Sequence, residues 1–195
     1  MTESTGILQL CSINGDGSNF RQLTQFNRPV FEHGMSRDGT LIAFTSLWNG
    51  DGAEVSADTG DIFVIHPDGT GLRRLTLAPA SPPFLSSGHP RLDTTGSWIA
   101  FESVANFTGQ NSDFSSEIYR MRPDGTAKQQ ISAMESFQRS WKPDISGSGN
   151  LIVYSSTGNP FGTNPDHNGE LFLWDASTGS TRQLTVTTDG VNEDA

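Results

Sequence analysis

A pattern that recurs every 52 to 56 residues limits this chain to a repeat fold. It occurs as DIFVIHPDGTGLRRLT from Asp61, as EIYRMRPDGTAKQQIS from Glu117 and as ELFLWDASTGSTRQLT from Glu170, and a diverged copy begins at Ile7. The closing Leu-Thr or Ile-Ser pairs begin at residues 23, 75, 131 and 184, in steps of 52, 56 and 53 residues. Such periods are typical of units that bury their apolar faces by stacking on their neighbours.

A second line of similarity interleaves with the first: MSRDGTLIAFTS from Met35, LDTTGSWIAFES from Leu92 and ISGSGNLIVYSS from Ile145. Together the two lines divide each repeat into four short strands separated by turns that contain Gly or Pro. The second strand is apolar on successive residues, which indicates a sheet covered on both faces. The sequence therefore predicts an all-β chain of propeller-type blades, each with four antiparallel strands. The predicted units are a half blade at about 7–24, full blades at about 30–76, 88–132 and 141–185, and an acidic tail at 186–195.

The composition of the chain disfavours some classes of function. The net charge is −10, which disfavours binding to the phosphate backbone of nucleic acids. No stretch approaches the roughly 20 apolar residues that a membrane span needs, and no leader typical of a signal peptide is seen. A single cysteine, Cys11, allows no disulfide within the chain.

The D/E-I-[FY] opening, the [PS]-D-G-T turn and the L-I-A-F strand resemble TolB-like β-propeller repeats, which are related to the WD type. The resemblance covers the chain from about Ile7 to Thr185. It implies a bacterial periplasmic or extracellular setting and protein partners.

About three and a half blades are fewer than the four to eight of closed propellers. An open arc exposes a blade face at each end, so we expect either self-association or the remainder of a larger propeller.

The loop between the second and third strands is long in every blade and rich in Asn and Asp. Alternating oxygen side chains that end in a carboxylate are typical of Ca²⁺ ligands, because Ca²⁺ takes six to eight oxygens. The alternative is that these residues cap turns through hydrogen bonds to the backbone. The candidate ligands are Asp58 and Asp61, then Asn111, Asp113 and Glu117, then Asn164, Asp166, Asn168 and Glu170.

A ring position is the second candidate site. Alignment on Gly39, Gly96 and Gly149 makes Glu32, His89 and Lys142 equivalent, near the start of the first strand of each blade. Since the first strand of a blade lines the central channel, divergent residues here fit either ligand contacts or an ordinary solvated rim. Of the four tryptophans, Trp48 and Trp141 are candidates for ligand contact, whereas Trp98 and Trp174 lie within strands and are expected in the core.

No catalytic constellation emerges from the sequence. The leading hypothesis is a non-enzymatic binding or scaffolding module that recognises a protein, a peptide or a glycan at the channel mouth and the long loops. One alternative is the propeller of a larger enzyme, either a prolyl-oligopeptidase-type peptidase or a polysaccharide lyase. A self-assembling structural fragment is the other.

Overall fold

The computed structural model describes residues 6–48, 59–77, 86–135 and 137–188, and the described residues form β-strands, turns and loops without a helix. Three antiparallel sheets of four strands and one two-stranded sheet account for every strand. The predicted all-β architecture of four-stranded propeller blades is confirmed. Within the described residues, no helix has the length and apolar character that crossing a membrane needs.

Each sheet is a meander in which consecutive strands pair. The N-terminal two-stranded unit contains β1 (Cys11–Ser12) and β2 (Arg21–Gln22), and the first blade contains β3 (Val30–Met35), β4 (Ile42–Ser46), β5 (Asp61–Ile65) and β6 (Arg73–Arg74). The second blade contains β7 (Ser87–Leu92), β8 (Ile99–Ser103), β9 (Glu117–Met121) and β10 (Gln129–Gln130). The third blade contains β11 (Ser140–Ile145), β12 (Leu151–Ser156), β13 (Glu170–Asp175) and β14 (Ser180–Gln183).

The hydrophobic core lies between sheets. Leu41, Ile62 and Val64 of the first blade form one buried cluster with Phe101 and Tyr119 of the second. A second cluster joins the N-terminal unit to the first blade, and a third joins the second blade to the third. This placement explains why β4 and β5 are buried along their whole length. The apolar run predicted this burial for β4.

The two Pro-Asp-Gly turns join the third and fourth strands of the first and second blades. Gly69 and Gly125 in the two Pro-Asp-Gly turns have φ of 85° and 83°, which a side chain would disfavour. The carboxylate oxygen of Asp68 accepts hydrogen bonds from the backbone N–H of Thr70 at 2.9 Å and from its hydroxyl at 2.7 Å. The hydroxyl bond holds the pKa of Asp68 below its ordinary value.

A buried hydrogen-bonded pair closes every unit, and we call it the clasp. In the first blade, the hydroxyl of Thr76 donates to Asp61 at 2.7 Å and accepts from the backbone N–H of Ile62 at 2.9 Å. The same arrangement links Ser132 to Glu117 and Thr185 to Glu170, and Gln9 takes the carboxylate's place opposite Thr24. The clasp therefore ties the end of each unit to the start of its third strand.

Removing the clasp hydroxyl should destabilise the fold. We expect Thr76→Val to lower the free energy of unfolding by about 1–3 kcal/mol, because the buried Asp61 carboxylate and the Ile62 N–H each lose a partner. Urea denaturation followed by circular dichroism measures the change. Thr70→Val is the control, since Thr70 bonds an aspartate in an exposed turn. An equal or larger loss in the control would show that the clasp adds nothing specific.

Candidate functional site

The predicted ring positions are β-bulges in the innermost strand of each blade. The strand register shifts between Val30 and His33 in β3, between Gly88 and Arg91 in β7, and between Trp141 and Asp144 in β11. A bulge leaves backbone groups outside the ladder, so these groups need other partners. His89 and Lys142 also adopt the left-handed conformation, with φ of 51° and 48°.

Carboxylates of the preceding blade satisfy two bulges. The backbone N–H of His89 donates to Glu32 Oε2 at 2.9 Å, and that of Lys142 donates to Glu102 Oε2 at 2.9 Å. Glu32 belongs to the first blade, His89 and Glu102 to the second, and Lys142 to the third. Thus the structure brings two of the three ring residues, Glu32 and His89, into direct contact.

The imidazole of His89 lies between two carboxylates. Its Nε2 is 2.7 Å from Glu32 Oε1, and its Nδ1 is 2.9 Å from Glu102 Oε1. The second pair is at hydrogen-bond distance, although its angles depart from those of a regular hydrogen bond. The Glu102 and Glu32 carboxylates raise the pKa of His89 above its ordinary value, while burial and Arg91 oppose them.

This cluster lines a cleft of about 500 Å³ between the first and second blades. Phe31 and Leu47 contribute apolar walls, and Gly88 contributes no side chain. Gly88 is equivalent to Phe31 in the first blade and to Trp141 in the third, so the second blade lacks an aromatic ring that both neighbours carry. The missing ring leaves the cleft open.

Thr45 lies in the wall of the same cleft. The residue is 6% exposed, and its buried hydroxyl has no hydrogen-bond partner among the described residues. A buried hydroxyl without a partner is costly. Thr45 occupies the position in β4 that Glu102 occupies in β8.

The two nominated tryptophans lie in different surroundings. Trp48 stacks on Phe26, with ring centroids 4.1 Å apart, and packs against the core cluster of the first blade. Trp141 is half-buried, with the Arg139 guanidinium 4.8 Å from its ring centroid. Ligand contact by either ring stays a prediction. Trp98 and Trp174 pack with the third core cluster, and Arg120 lies 4.2 Å and 4.3 Å from their ring centroids.

Three of the carboxylates nominated for calcium, Asp61, Glu117 and Glu170, belong to the clasps. Burial raises the pKa of Glu117, while the Ser132 hydroxyl and the Met134 N–H bond its carboxylate and oppose the rise. Glu170 accepts from the N–H of Thr187 at 2.5 Å, and Asp61 pairs with Arg74. Asp58 lies outside the described residues.

The nominated asparagines brace their own loops. Asn111 Nδ2 donates to the carbonyl oxygens of Val104 and Ser115 at 3.3 Å and 2.9 Å. Asn164 does the same with Gly158 and Asn168, at 3.2 Å and 3.0 Å. Hydrogen bonds from an asparagine side chain to nearby carbonyl oxygens are what the turn-capping alternative expects.

The remaining nominated groups differ between the two loops. Asp113 is exposed and accepts from Ser115, and Asp166 is exposed. Asn168 Nδ2 donates to the carbonyl oxygen of Thr187 at 2.7 Å, whereas the Oδ1 atoms of Asn164 and Asn168 are buried and have no partner among the described residues. Among those residues, no three His, Cys, Asp or Glu side chains gather as a metal site would need. Calcium binding by these loops stays a prediction.

Two residues of the cleft were missed by sequence reasoning. Glu102 interrupts an otherwise apolar strand, and Gly88 stands where both other blades have an aromatic residue. Each departure from the repeat was visible in the sequence. Gly88 and Glu102 are paired across β7 and β8 of the second blade, and Glu102 also accepts from the Lys142 N–H of the third blade. The contact between blades was not visible, because pairing between blades leaves no local pattern.

Comparison with solved structures gives the class of protein to which this fold is similar. A TolB-type protein from Agrobacterium tumefaciens matches with a TM-score of 0.64 and 23% identity, over 94% of this chain and 58% of that one. TolB from Acinetobacter baumannii matches with a TM-score of 0.57 and 15% identity, over 91% and 37%. An oligogalacturonate lyase in complex with manganese matches with a TM-score of 0.58 and 17% identity, over 91% and 42%.

These matches confirm the resemblance to TolB-like β-propellers at the level of the fold. This chain spans 58% or less of the length of the three proteins named. No protein-family model matches the chain, and no curated protein matches it.

The ion cluster should make stability depend on pH. The raised pKa of His89 in the folded state means that its contribution is complete below the unfolded value of about 6.5 and is lost as pH rises through the folded pKa. We therefore expect the stability advantage of the wild type over His89→Gln to be larger at about pH 5.5 than at about pH 8.5. Urea denaturation of both proteins across this range provides the test. An advantage that grows with pH would contradict the assignment.

Proposed function

We propose that this chain is a non-enzymatic binding module that takes a peptide segment of a protein partner into the cleft between the first and second blades. The observation that carries the proposal is the absence of a ring side chain at Gly88, which opens a space beside Phe31 and the Glu32–His89–Glu102 cluster. A cleft with apolar walls and a few converging polar groups is the usual form of a ligand site.

The contents of the cleft favour a peptide. Phe31 is 43% exposed and offers an apolar contact to a peptide side chain. Glu32 and Glu102 lie at the same opening, and the whole chain carries a net charge of −10. An apolar side chain next to a basic one therefore matches the cleft best. A glycan stacked on Phe31 is the second candidate, since an exposed aromatic face also suits a sugar ring.

The polar groups of the cleft favour a binding role over catalysis, because they already contact other residues of the chain. Both oxygens of Glu32 and both of Glu102 contact His89 or the Lys142 N–H, so they hold the blades together. The solved structures of similar fold include a lyase and a peptidase, and that likeness concerns the fold alone. The setting that we propose, the bacterial periplasm or the extracellular space, rests on the resemblance to TolB-like propellers.

Filling the cleft should abolish binding without unfolding the protein. The φ of Gly88 is outside the left-handed region, and the nearest atom to an added Cβ is Glu32 Oε2 at 3.5 Å, so Gly88→Phe restores the ring of the other blades. Linear heptapeptides are selected from a random phage-displayed library on the wild type, and their affinities are measured by fluorescence polarisation. We expect at least a tenfold loss for Gly88→Phe, which corresponds to about 1.4 kcal/mol.

The matched control is Gly15→Phe, which adds the same ring where no atom lies within 4 Å of the new Cβ. This variant should bind like the wild type. Selected peptides that bind Gly88→Phe with unchanged affinity would rule out the cleft. A second outcome is that no peptide is selected, while the wild type binds an oligosaccharide array and Gly88→Phe does not. This outcome would identify the cleft as a glycan site instead.

A further inference from the structure

Two arginines and two tryptophans contact each other at the junction of the second and third blades. The Cζ atom of Arg120 lies 4.2 Å from the ring centroid of Trp98 in its own blade and 4.3 Å from that of Trp174 in the third blade. The Cζ atom of Arg122 lies 4.2 Å from the Trp98 centroid as well. We call these four side chains the arginine stack. The sheets on both sides of the stack belong to the described residues.

The junction between the first and second blades has aliphatic side chains where the arginine stack has Trp98 and Arg120. The equivalent residues are Leu41 and Val64, which are buried in the core cluster of that junction. A guanidinium therefore replaces an apolar group in the junction of the second and third blades. Attraction between a cation and an aromatic ring stabilises this replacement, but it supplies no negative charge.

Other arginines of the outer strands lie beside carboxylates. Arg74 pairs with Asp61. Hydrogen bonds from neighbouring hydroxyls hold the pKa of three aspartates below its ordinary value, and nearby arginines add to the lowering: Arg21 at Asp68, Arg73 at Asp124 and Arg182 at Asp175. Among the described residues, by contrast, neither Arg120 nor Arg122 forms an ion pair. The arginine stack is therefore a concentration of positive charge in a chain whose net charge is −10.

Most N–H groups of the two guanidiniums are unused. Arg120 donates through Nε to Gln129 Oε1 at 3.0 Å. Its Nη1 and Nη2 groups have no hydrogen-bond partner among the described residues, and neither has any side-chain N–H of Arg122. These nitrogens of Arg120 are not buried, and Arg122 is exposed. The stack therefore presents several hydrogen-bond donors to a ligand at the surface.

The two positive charges also act on each other. Burial lowers the pKa of Arg120, and the charge of Arg122 lowers it further. Like charges held close together raise the free energy of the folded state unless an opposite charge compensates them. Planar guanidiniums form paired hydrogen bonds with phosphate and carboxylate groups, and they also stack on aromatic rings. The arrangement thus has the charge and the donors of an anion site.

We propose that the arginine stack binds the phosphate or sulfate group of a small ligand between Arg120 and Arg122. The Cζ atoms of both residues lie 4.2 Å from one ring centroid, so a single tetrahedral anion at the edge of Trp98 can accept bonds from both. A tetrahedral group has enough oxygens for paired bonds from both guanidiniums, whereas a carboxylate can satisfy only one. The net charge of −10 repels long polyanions, so we expect a small ligand. The proposal does not depend on the cleft between the first and second blades.

Titration with inorganic phosphate at constant ionic strength tests the site. The Nε–Hε resonances of the arginines are followed in proton–nitrogen correlation spectra and assigned with single variants. We expect saturable shifts for Arg120 and Arg122 but not for Arg182, and an at least tenfold weaker phosphate affinity for Arg122→Gln. The matched control is Arg182→Gln, because Arg182 is exposed and lies beside Asp175. This control should bind phosphate like the wild type.

Two results of this comparison would overturn the proposal. One is an equal affinity of the wild type and Arg122→Gln. The other is an equal loss of affinity in Arg122→Gln and Arg182→Gln, which would show only a general attraction of anions by positive charge. Circular dichroism and the melting temperature verify that both variants fold.

The source of the anion is identified at the same resonances. Inorganic sulfate, inorganic phosphate and an ester, methyl phosphate, are compared by their affinities. Tighter binding of the ester would assign the site to a phosphorylated ligand, and tighter binding of either inorganic ion would assign it to that free ion. The absence of a saturable shift with all of these probes would overturn the proposal.

Discussion

The structure depends on one constraint: the sheets of the first and second blades are apolar on both faces, so each of them needs a neighbour on either side. Phe44 and Phe63 of the first blade point to the cluster shared with the N-terminal unit, while Ala43 and Ile62 on the same strands point to the second blade. A single blade in water would expose half of these side chains, so no blade is stable without a neighbour. The blades therefore fold only as they stack on one another, and the clasps and turns set the shape of each blade.

Stacking also decides where binding groups can vary. Several positions that face a neighbouring sheet keep their apolar character from blade to blade, as at Ile42, Ile99 and Ile152. The bulge in each innermost strand lies outside this requirement, and its side chains differ. Each bulge leaves backbone N–H groups outside the strand ladder. Glu32 and Glu102 of the preceding blade accept hydrogen bonds from these groups. The same carboxylates thereby align two blades and give the cleft its charge.

Local chemistry explains how much of this was predictable from the sequence. The strands, the Pro-Asp-Gly turns and the equivalence of Glu32, His89 and Lys142 follow from repeat spacing and from residues such as Gly69 that fix a turn. The contact between His89 and Glu32 of the preceding blade could not be predicted, because it requires the rotation between blades and the left-handed backbone at His89. For the same reason Asp61, Glu117 and Glu170 suggested metal ligands, whereas the structure shows their hydroxyl partners 15 residues away.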